Sequence, residues 1–161
     1  SKPALDAVKV ANEQGYPAKI LPGISAEDCL FADLLIDPGT CGCQSYEATD
    51  FLLYSRKFDP NSHLILWQPD VIGMQTHIRN KDIIGISLLR DRLLKSYQPD
   101  HPVVIYEAAQ YPGLLASIKR IELMSLPDAC LSSISTLYIQ PAGSSDYDRC
   151  LARMLAIEEG K

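Results

Sequence analysis

The sequence lacks long apolar runs and clusters of basic residues. No window approaches the roughly 20 consecutive apolar residues that a membrane-spanning helix needs. The first residues also lack the basic-then-apolar order of a signal peptide. Asp and Glu number 20 against 15 Lys and Arg, giving a net charge of −5, whereas proteins that bind a phosphate backbone concentrate positive charge. These absences predict a cytoplasmic protein that binds neither a membrane nor a nucleic acid.

Motifs for metal, nucleophile and phosphate chemistry are also missing. Five cysteines are an odd and scattered set, unlike a disulfide framework, so free thiols are expected. Cys41 and Cys43 lack the second ligand pair of a zinc site, and no metal is predicted. His63, His77 and His101 stand beside no nucleophile motif, which argues against a hydrolase triad. Neither common glycine-rich phosphate motif occurs.

The composition indicates an ordinary folded domain. The chain has 161 residues, of which 47% are apolar and 22% charged. This mixture is typical of soluble globular proteins, and the length is sufficient for one core. The chain begins with Ser1 rather than Met, and its first residues already have helical spacing of apolar side chains. We therefore expect a truncated or processed product.

Helix and strand patterns alternate along the chain, which predicts an α/β fold. Apolar runs bounded by turn residues predict buried strands at residues 63–67 and 102–106. The helical stripe at residues 83–97 lies between them and predicts a parallel crossover. Other predicted elements are helices at 3–14, 25–35, 49–55 and 146–157, strands at 16–21, 44–47, 118–123 and 134–139, and a loop at 37–43.

Residues that follow the predicted strands are candidates for a binding site, because ligands of open α/β sheets lie beyond the carboxyl ends of the strands. Ser25 can cap a helix whose free N–H groups suit an anion. Gln68 places an amide where an apolar strand ends, and Tyr106 offers a flat ring. The alternatives are an ordinary helix cap, a solvated loop amide and a packed strand residue.

The same segments resemble those of a known family. Residues 22–33 (PGISAEDCLFAD) and then 36–38 (IDP) closely resemble the central segment of the borosin peptide-backbone α-N-methyltransferases, which have the tetrapyrrole-methylase fold. PGIS followed by a small residue is shared by tetrapyrrole methylases in general, whereas EDCLFAD favours the peptide-modifying branch. The match covers about residues 3–142, and further similar segments follow in order: QSYEATDF, SHLILWQ, HPVVIY and STLYIQP.

The resemblance implies an α/β, tetrapyrrole-methylase-like architecture in three parts. Residues 1–23 would be the last helix and strand of an N-terminal αβα domain. Residues 24–142 would form a C-terminal αβα domain with a mixed sheet, and residues 143–161 a tail with a helical pattern. Much of the N-terminal catalytic half would then be absent, so we expect the chain to be incomplete and inactive alone. No catalytic residue is assigned.

The resemblance also implies S-adenosylmethionine (SAM) as cofactor, bound between the two domains of a homodimeric enzyme. The expected reaction is in-line methyl transfer to backbone amides of a ribosomal precursor peptide. The tail contains no apolar core peptide, so a separate peptide substrate is expected. The alternatives are a tetrapyrrole or other small-molecule acceptor, and a non-catalytic binding or dimerisation fragment. The cofactor contacts implied are Ser25, Ala26, Gln68, Tyr106, Ala108, Ser135 and Thr136.

Overall fold

The structure of the protein is a computed structural model that describes residues 2–73 and 83–157. His77, one of the three histidines of the sequence, lies outside these ranges. A mixed five-stranded sheet forms the centre, in the order β1-β2-β5-β3-β4. The strands are β1 (Cys43–Glu47), β2 (His63–Trp67), β3 (Pro102–Glu107), β4 (Ser117–Glu122) and β5 (Thr136–Ile139).

The predicted crossover between β2 and β3 connects parallel strands that are not neighbours. β1 is parallel to β2, whereas β5 is antiparallel to both β2 and β3. β2 and β3 therefore run in the same direction, as predicted, with the last strand of the chain inserted between them. β4 pairs antiparallel with β3 as a hairpin at the end of the sheet.

Helices lie on both faces of this sheet. The helices are α1 (Lys2–Glu13), α2 (Ala26–Leu34), α3 (Pro38–Cys41), α4 (Ala48–Leu53), α5 (Ile83–Leu93) and α6 (Arg149–Met154), with 3₁₀ helices at Pro69–Val71 and Leu123–Asp128. The predicted cap of α2 is confirmed: the Asp28 backbone N–H donates to Ser25 Oγ, and the Ser25 backbone N–H donates to the Asp28 carboxylate. Such a capping box satisfies donors that the first helical turn leaves free.

Alternate residues of β2 pack into two separate hydrophobic clusters, because successive strand side chains point to opposite faces. Leu64 and Leu66 join the larger cluster with α4 and α5. Ile65 joins the smaller cluster, where Leu30 of α2 covers the other face. All four side chains are fully buried, which confirms the prediction of a strand covered on both faces. The sheet with its helices is therefore an αβα sandwich.

The strand predicted at residues 16–21 is wrong. This segment has no regular secondary structure, and Tyr16 and Leu21 are 68% and 70% exposed. The Asn12 side chain bonds both backbone groups of Ala18, with the Asn12 amide donating to Ala18 O and the Ala18 N–H donating to Asn12 Oδ1. The segment is therefore held by α1. A strand needs a neighbouring backbone to pair with, and apolar composition alone does not provide one.

The predicted loop at residues 37–43 is also partly wrong, because it contains the short helix α3. The Asp37 carboxylate accepts a hydrogen bond from the Gly39 N–H at 2.9 Å, and Pro38 occupies the first turn. Both residues favour a helix start. In the tail, α6 begins after its cap Asp148, three residues later than predicted. Within the described ranges, no helix is long and apolar enough to cross a bilayer.

A close helix contact at Gly85 provides a test of the packing of α5. A Cβ atom at this position would lie 2.9 Å from both Cβ and Cγ2 of Ile72. We expect Gly85→Ala to lower the free energy of unfolding by about 1–3 kcal/mol, because overpacking outweighs the gain in helix propensity. Chemical denaturation measures the change, and Leu88→Ala on the exposed side of α5 should alter stability by less than about 0.5 kcal/mol. Equal stability of Gly85→Ala and the native chain would contradict this packing.

Candidate functional site

Three strand ends meet at one edge of the sheet and bring together most of the predicted site residues. Thr136, the first residue of β5, pairs with Trp67 of β2 and with Tyr106 of β3. Because β5 is antiparallel to both, its start lies beside their carboxyl ends. We call this the crevice edge, and it comprises Gln68, Tyr106, Ala108, Ser135 and Thr136.

Gln68 directly follows β2 with an unusual backbone conformation. Its φ and ψ angles are 55° and 49°, in the left-handed region. A residue other than glycine needs support from its surroundings to remain there. Here the Gln68 carbonyl accepts a hydrogen bond from the Val71 N–H at 3.3 Å. The side chain is exposed and makes no cap bond to the following 3₁₀ helix. Its amide can therefore both donate to and accept from a polar ligand.

Ser135 and Thr136 are buried at the start of β5, with exposures of 2% and 3%. The Ser135 hydroxyl donates to Glu107 Oε1 at 2.6 Å and accepts from the Ser132 N–H at 2.8 Å. Both hydrogen-bonding roles of this hydroxyl are therefore occupied within the protein. The side chain is held in place by these bonds, and the role of Ser135 as a cofactor contact stays a prediction.

Glu107 is the residue at this edge that the sequence analysis missed. It ends β3, and its Oε1 atom accepts hydrogen bonds from Ser132 Oγ and Ser135 Oγ, both at 2.6 Å. The Ser132 bond, followed by the Ser135 bond, holds the pKa of this carboxyl below its usual value, and Lys119 contributes less. The crevice rule that selected Gln68 applies equally to an acidic residue directly after an apolar strand.

Tyr106 does not present its ring to a ligand. The side chain is fully buried, and its hydroxyl donates to Asp33 Oδ2 at 2.7 Å. Burial, with a smaller contribution from Asp33, raises the pKa of this phenol well above its usual value. Tyr106 thus joins the sheet to the last turn of α2, and its side chain is occupied within the protein. Its role as a cofactor contact stays a prediction.

Ser25 and Ala26 begin α2 and lie away from the Tyr106 contact. The Ser25 hydroxyl bonds to the Asp28 carboxylate at 2.7 Å, within the same helical turn. Near this end of α2, the charge of Glu27 acts on Cys43 at the start of β1. The other end of α2 meets Tyr106 through Asp33. Among the described residues, no hydrogen bond or ion pair joins Ser25 or Ala26 to the crevice edge, and their role stays a prediction.

The two described histidines among the candidate metal ligands have other hydrogen-bond partners. His63 Nδ1 lies 2.8 Å from the Tyr138 hydroxyl, and His101 Nε2 lies 2.9 Å from the Gln140 carbonyl. All five cysteines are free. Within residues 2–73 and 83–157, no cluster of three or more His, Cys, Asp or Glu side chains could hold a metal ion.

The architecture is the tetrapyrrole-methylase fold. Uroporphyrin-III C-methyltransferase from Thermus thermophilus superimposes with a TM-score of 0.56 at 15% identity, covering 96% of this chain and 61% of that one. Cobalt precorrin-4 methyltransferase gives a TM-score of 0.58 at 13% identity, covering 86% and 58%. A uroporphyrin-III C-methyltransferase structure from T. thermophilus with S-adenosyl homocysteine gives 0.55 at 14%, covering 85% and 58%. At this identity the likeness establishes the fold alone.

Sequence relatives identify the chain more closely. The Gymnopus fusipes methyltransferase/gymnopeptide precursor is 43% identical over 162 residues, which cover 96% of this chain and 38% of that protein. The Anomoporia bombycina methyltransferase/type III borosin precursor is 43% identical over 148 residues, covering 89% and 17%. The Omphalotus olearius methyltransferase/omphalotin A precursor is 40% identical over 144 residues, covering 86% and 34%. No protein-family model matches.

The chain is therefore a homologue of the borosin methyltransferases, as the sequence resemblance predicted. It spans between 17% and 38% of the length of these three relatives.

The thiol of Cys43 tests the placement of α2 over the sheet. Burial, and to a lesser degree Glu27, raises the pKa of this thiol to about 11. At pH 8 we expect iodoacetamide to alkylate Cys43 at least about 100-fold more slowly in the folded chain than in urea, because only the thiolate reacts. The rate should rise about tenfold per pH unit up to about pH 10, since thiolate increases as the pH approaches the pKa.

A variant that retains only Cys43 isolates this reaction, and one that retains only the exposed Cys130 is its control. Cys130 should react at similar rates in the folded and unfolded chains. Fast alkylation of folded Cys43 at pH 8 would contradict the packing of α2 against β1.

Proposed function

We propose that the protein containing this chain is a SAM-dependent methyltransferase that N-methylates backbone amides of a ribosomal precursor peptide. The supporting observation is 43% identity over nearly the whole chain to a protein described as both methyltransferase and cyclic peptide precursor. The domain in hand supplies a tetrapyrrole-methylase fold with a crevice edge at its strand ends. The fold and the sequence relatives both support methyl transfer as the reaction class.

The crevice edge has groups suited to holding SAM. The exposed Gln68 amide can bond the amino acid part or the ribose hydroxyls of the cofactor. Small side chains at Ala108 and the buried start of β5 leave backbone groups at residues 106–108 and 135–136 as further contacts. When bound, SAM supplies a methyl group on a positively charged sulfur. The residues of this chain would orient that methyl group, and positioning of the reactants is a large share of catalysis in such displacements.

Ser25 and Ala26 are proposed as further cofactor contacts. Their support is the similarity of residues 22–33 to the borosin central segment. We further propose that residues 1–23 belong to an N-terminal domain and that the enzyme is a homodimer. The exposed apolar side chains of Tyr16, Ile20 and Leu21 support the first of these, because exposed apolar residues that are grouped together mark interaction surfaces.

Methylation of a backbone amide requires groups that activate the amide, in addition to the residues proposed to hold SAM. A backbone amide is a weak nucleophile, and methyl transfer to its nitrogen requires loss of the amide proton. The relatives are much longer than this chain. We therefore propose that the residues that polarise or deprotonate the amide lie in other parts of the protein.

A small-molecule acceptor is the second candidate, because the matched solved structures include enzymes named for uroporphyrin-III and cobalt precorrin-4. Identity to them is 13–15%, against 40–43% to the Gymnopus fusipes and Omphalotus olearius peptide precursors. The peptide acceptor is therefore favoured.

Gln68 provides a direct test of the proposed cofactor site. Gln68→Gly removes the amide and fits the left-handed backbone without strain. We expect it to weaken SAM binding by about tenfold, the loss of one hydrogen bond. Isothermal titration calorimetry on the full-length protein measures this affinity, and Gln98→Gly, in an exposed turn before β3, should leave it unchanged. Unaltered affinity in Gln68→Gly would exclude the amide from the site.

Mass spectrometry tests the proposed reaction. The full-length protein is incubated with SAM and a candidate precursor peptide, and then with a precorrin-like compound in competition. We expect the peptide to gain mass in steps of about 14 Da, one methyl group replacing one hydrogen per transfer. Fragmentation should place each methyl group on a backbone nitrogen. An unmethylated peptide beside a methylated tetrapyrrole would favour the second candidate, and no transfer by a SAM-bound protein would contradict both.

A further inference from the structure

Glu107 closes a network of hydrogen bonds immediately before β5. Its Oε1 atom accepts from Ser132 Oγ and from Ser135 Oγ. The Ser132 N–H donates to Ser135 Oγ at 2.8 Å, and the Ser135 N–H donates back to the Ser132 carbonyl at 3.0 Å. One carboxylate oxygen therefore fixes both ends of the turn that leads into β5. We call residues 132–135 the serine turn.

The serine turn needs this acceptor because its last residue is buried. Ser135 is 2% exposed, and a buried hydroxyl without a hydrogen-bond acceptor is costly. Short bonds from hydroxyls to an ionised carboxylate are among the stronger hydrogen bonds in proteins. Glu107 belongs to β3, so these bonds also connect the entry of β5 to the strand beside it. Without them, the turn would have to leave its present geometry or bury an unsatisfied group.

The geometry of the turn determines the geometry of the crevice edge. Thr136 follows Ser135 directly and pairs with both Trp67 and Tyr106. A shift of the serine turn would therefore move the backbone at residues 135–136 relative to the ends of β2 and β3. Binding sites tolerate little misplacement, because a shift of about 1 Å can greatly reduce activity.

We propose that Glu107 is a positioning residue of the cofactor site, which acts through Ser132 and Ser135 to hold the backbone at residues 135–136 in place for SAM. This inference rests on the proposed function, because it takes SAM as the ligand of the crevice edge. Glu107 needs no contact with the cofactor in this role. Its role depends on the carboxylate oxygen that accepts hydrogen bonds from Ser132 and Ser135.

Substitutions that keep or remove this acceptor test the role. In the full-length protein, Glu107→Ala should weaken SAM binding by about tenfold, because the serine turn loses its acceptor. Glu107→Gln should bind within about threefold of the native protein, since its amide oxygen can accept both bonds. Glu122→Ala is the matched control: it removes an exposed glutamate from the far end of the β3–β4 pair and should leave affinity unchanged. Calorimetry gives the affinities.

A double-mutant cycle tests whether Glu107 acts through the serines. Ser132→Ala combined with Ser135→Ala should weaken SAM binding by about tenfold, and adding Glu107→Ala should weaken it little further, because groups of one network are not additive. An additive loss of about a hundredfold would overturn the proposal. Native affinity in Glu107→Ala would overturn it as well. So would a loss in Glu107→Gln equal to that in Glu107→Ala, because the charge would then act on the ligand directly.

Hydrogen exchange separates this inference from the proposed function. The Ser132 amide, bonded to Ser135 Oγ, should exchange at least about tenfold faster in Glu107→Ala than in the native protein and in Glu122→Ala. Absence of SAM binding by the native protein would refute the proposed function and with it the cofactor role of Glu107, whatever the exchange rate. Native SAM binding with unchanged exchange in Glu107→Ala would refute the positioning role alone.

Discussion

The insertion of β5 between β2 and β3 is the constraint on which the rest of the structure depends. This strand has four residues, all buried, and it hydrogen-bonds on both sides. Its pairing sets the distance between two parallel strands that are far apart in sequence. Because its direction is antiparallel, its first residue lies where β2 and β3 end. The crevice edge is a consequence of this one strand.

Two side-chain interactions connect other elements to the same place. Tyr106 donates a hydrogen bond to Asp33 of α2 and thus joins α2 to β3. Glu107, the next residue on β3, bonds the serine turn on the way into β5. Successive residues of a strand point to opposite faces. The end of β3 therefore supports α2 through Tyr106 and the entry of β5 through Glu107.

These contacts divide the residues expected at the site into different roles. Gln68 has an exposed amide, whereas the side chains of Tyr106 and Ser135 are occupied within the protein. A resemblance in sequence can indicate that a position lies near a ligand, but it does not say whether side chain or backbone faces it. In this domain, much of the proposed pocket wall is backbone held in place by buried polar side chains.

Patterns of neighbouring residues in the sequence were sufficient to predict most helices and strands. The apolar runs at β2 and β3 and the cap at Ser25 depend on residues adjacent in the chain, and the structure confirms each of them. The segment at residues 16–21 shows where such patterns fail. Its apolar residues would suit a strand, but strand formation depends on a pairing partner, which is a property of the whole fold. In the structure Asn12 satisfies the Ala18 backbone instead.

The sequence by itself determined the class of fold, the helix cap at Ser25, the buried strands β2 and β3 and the resemblance to the borosin enzymes. Tertiary structure alone decided the strand order, since the place of β5 depends on contacts between residues about 30 and 70 positions apart. It also decided the hydrogen bonds of Glu107. An acidic residue at a strand end is common on a protein surface, and only folding brings it within 2.6 Å of two serine hydroxyls. Hydrogen bonds between distant residues leave no periodic pattern in the sequence.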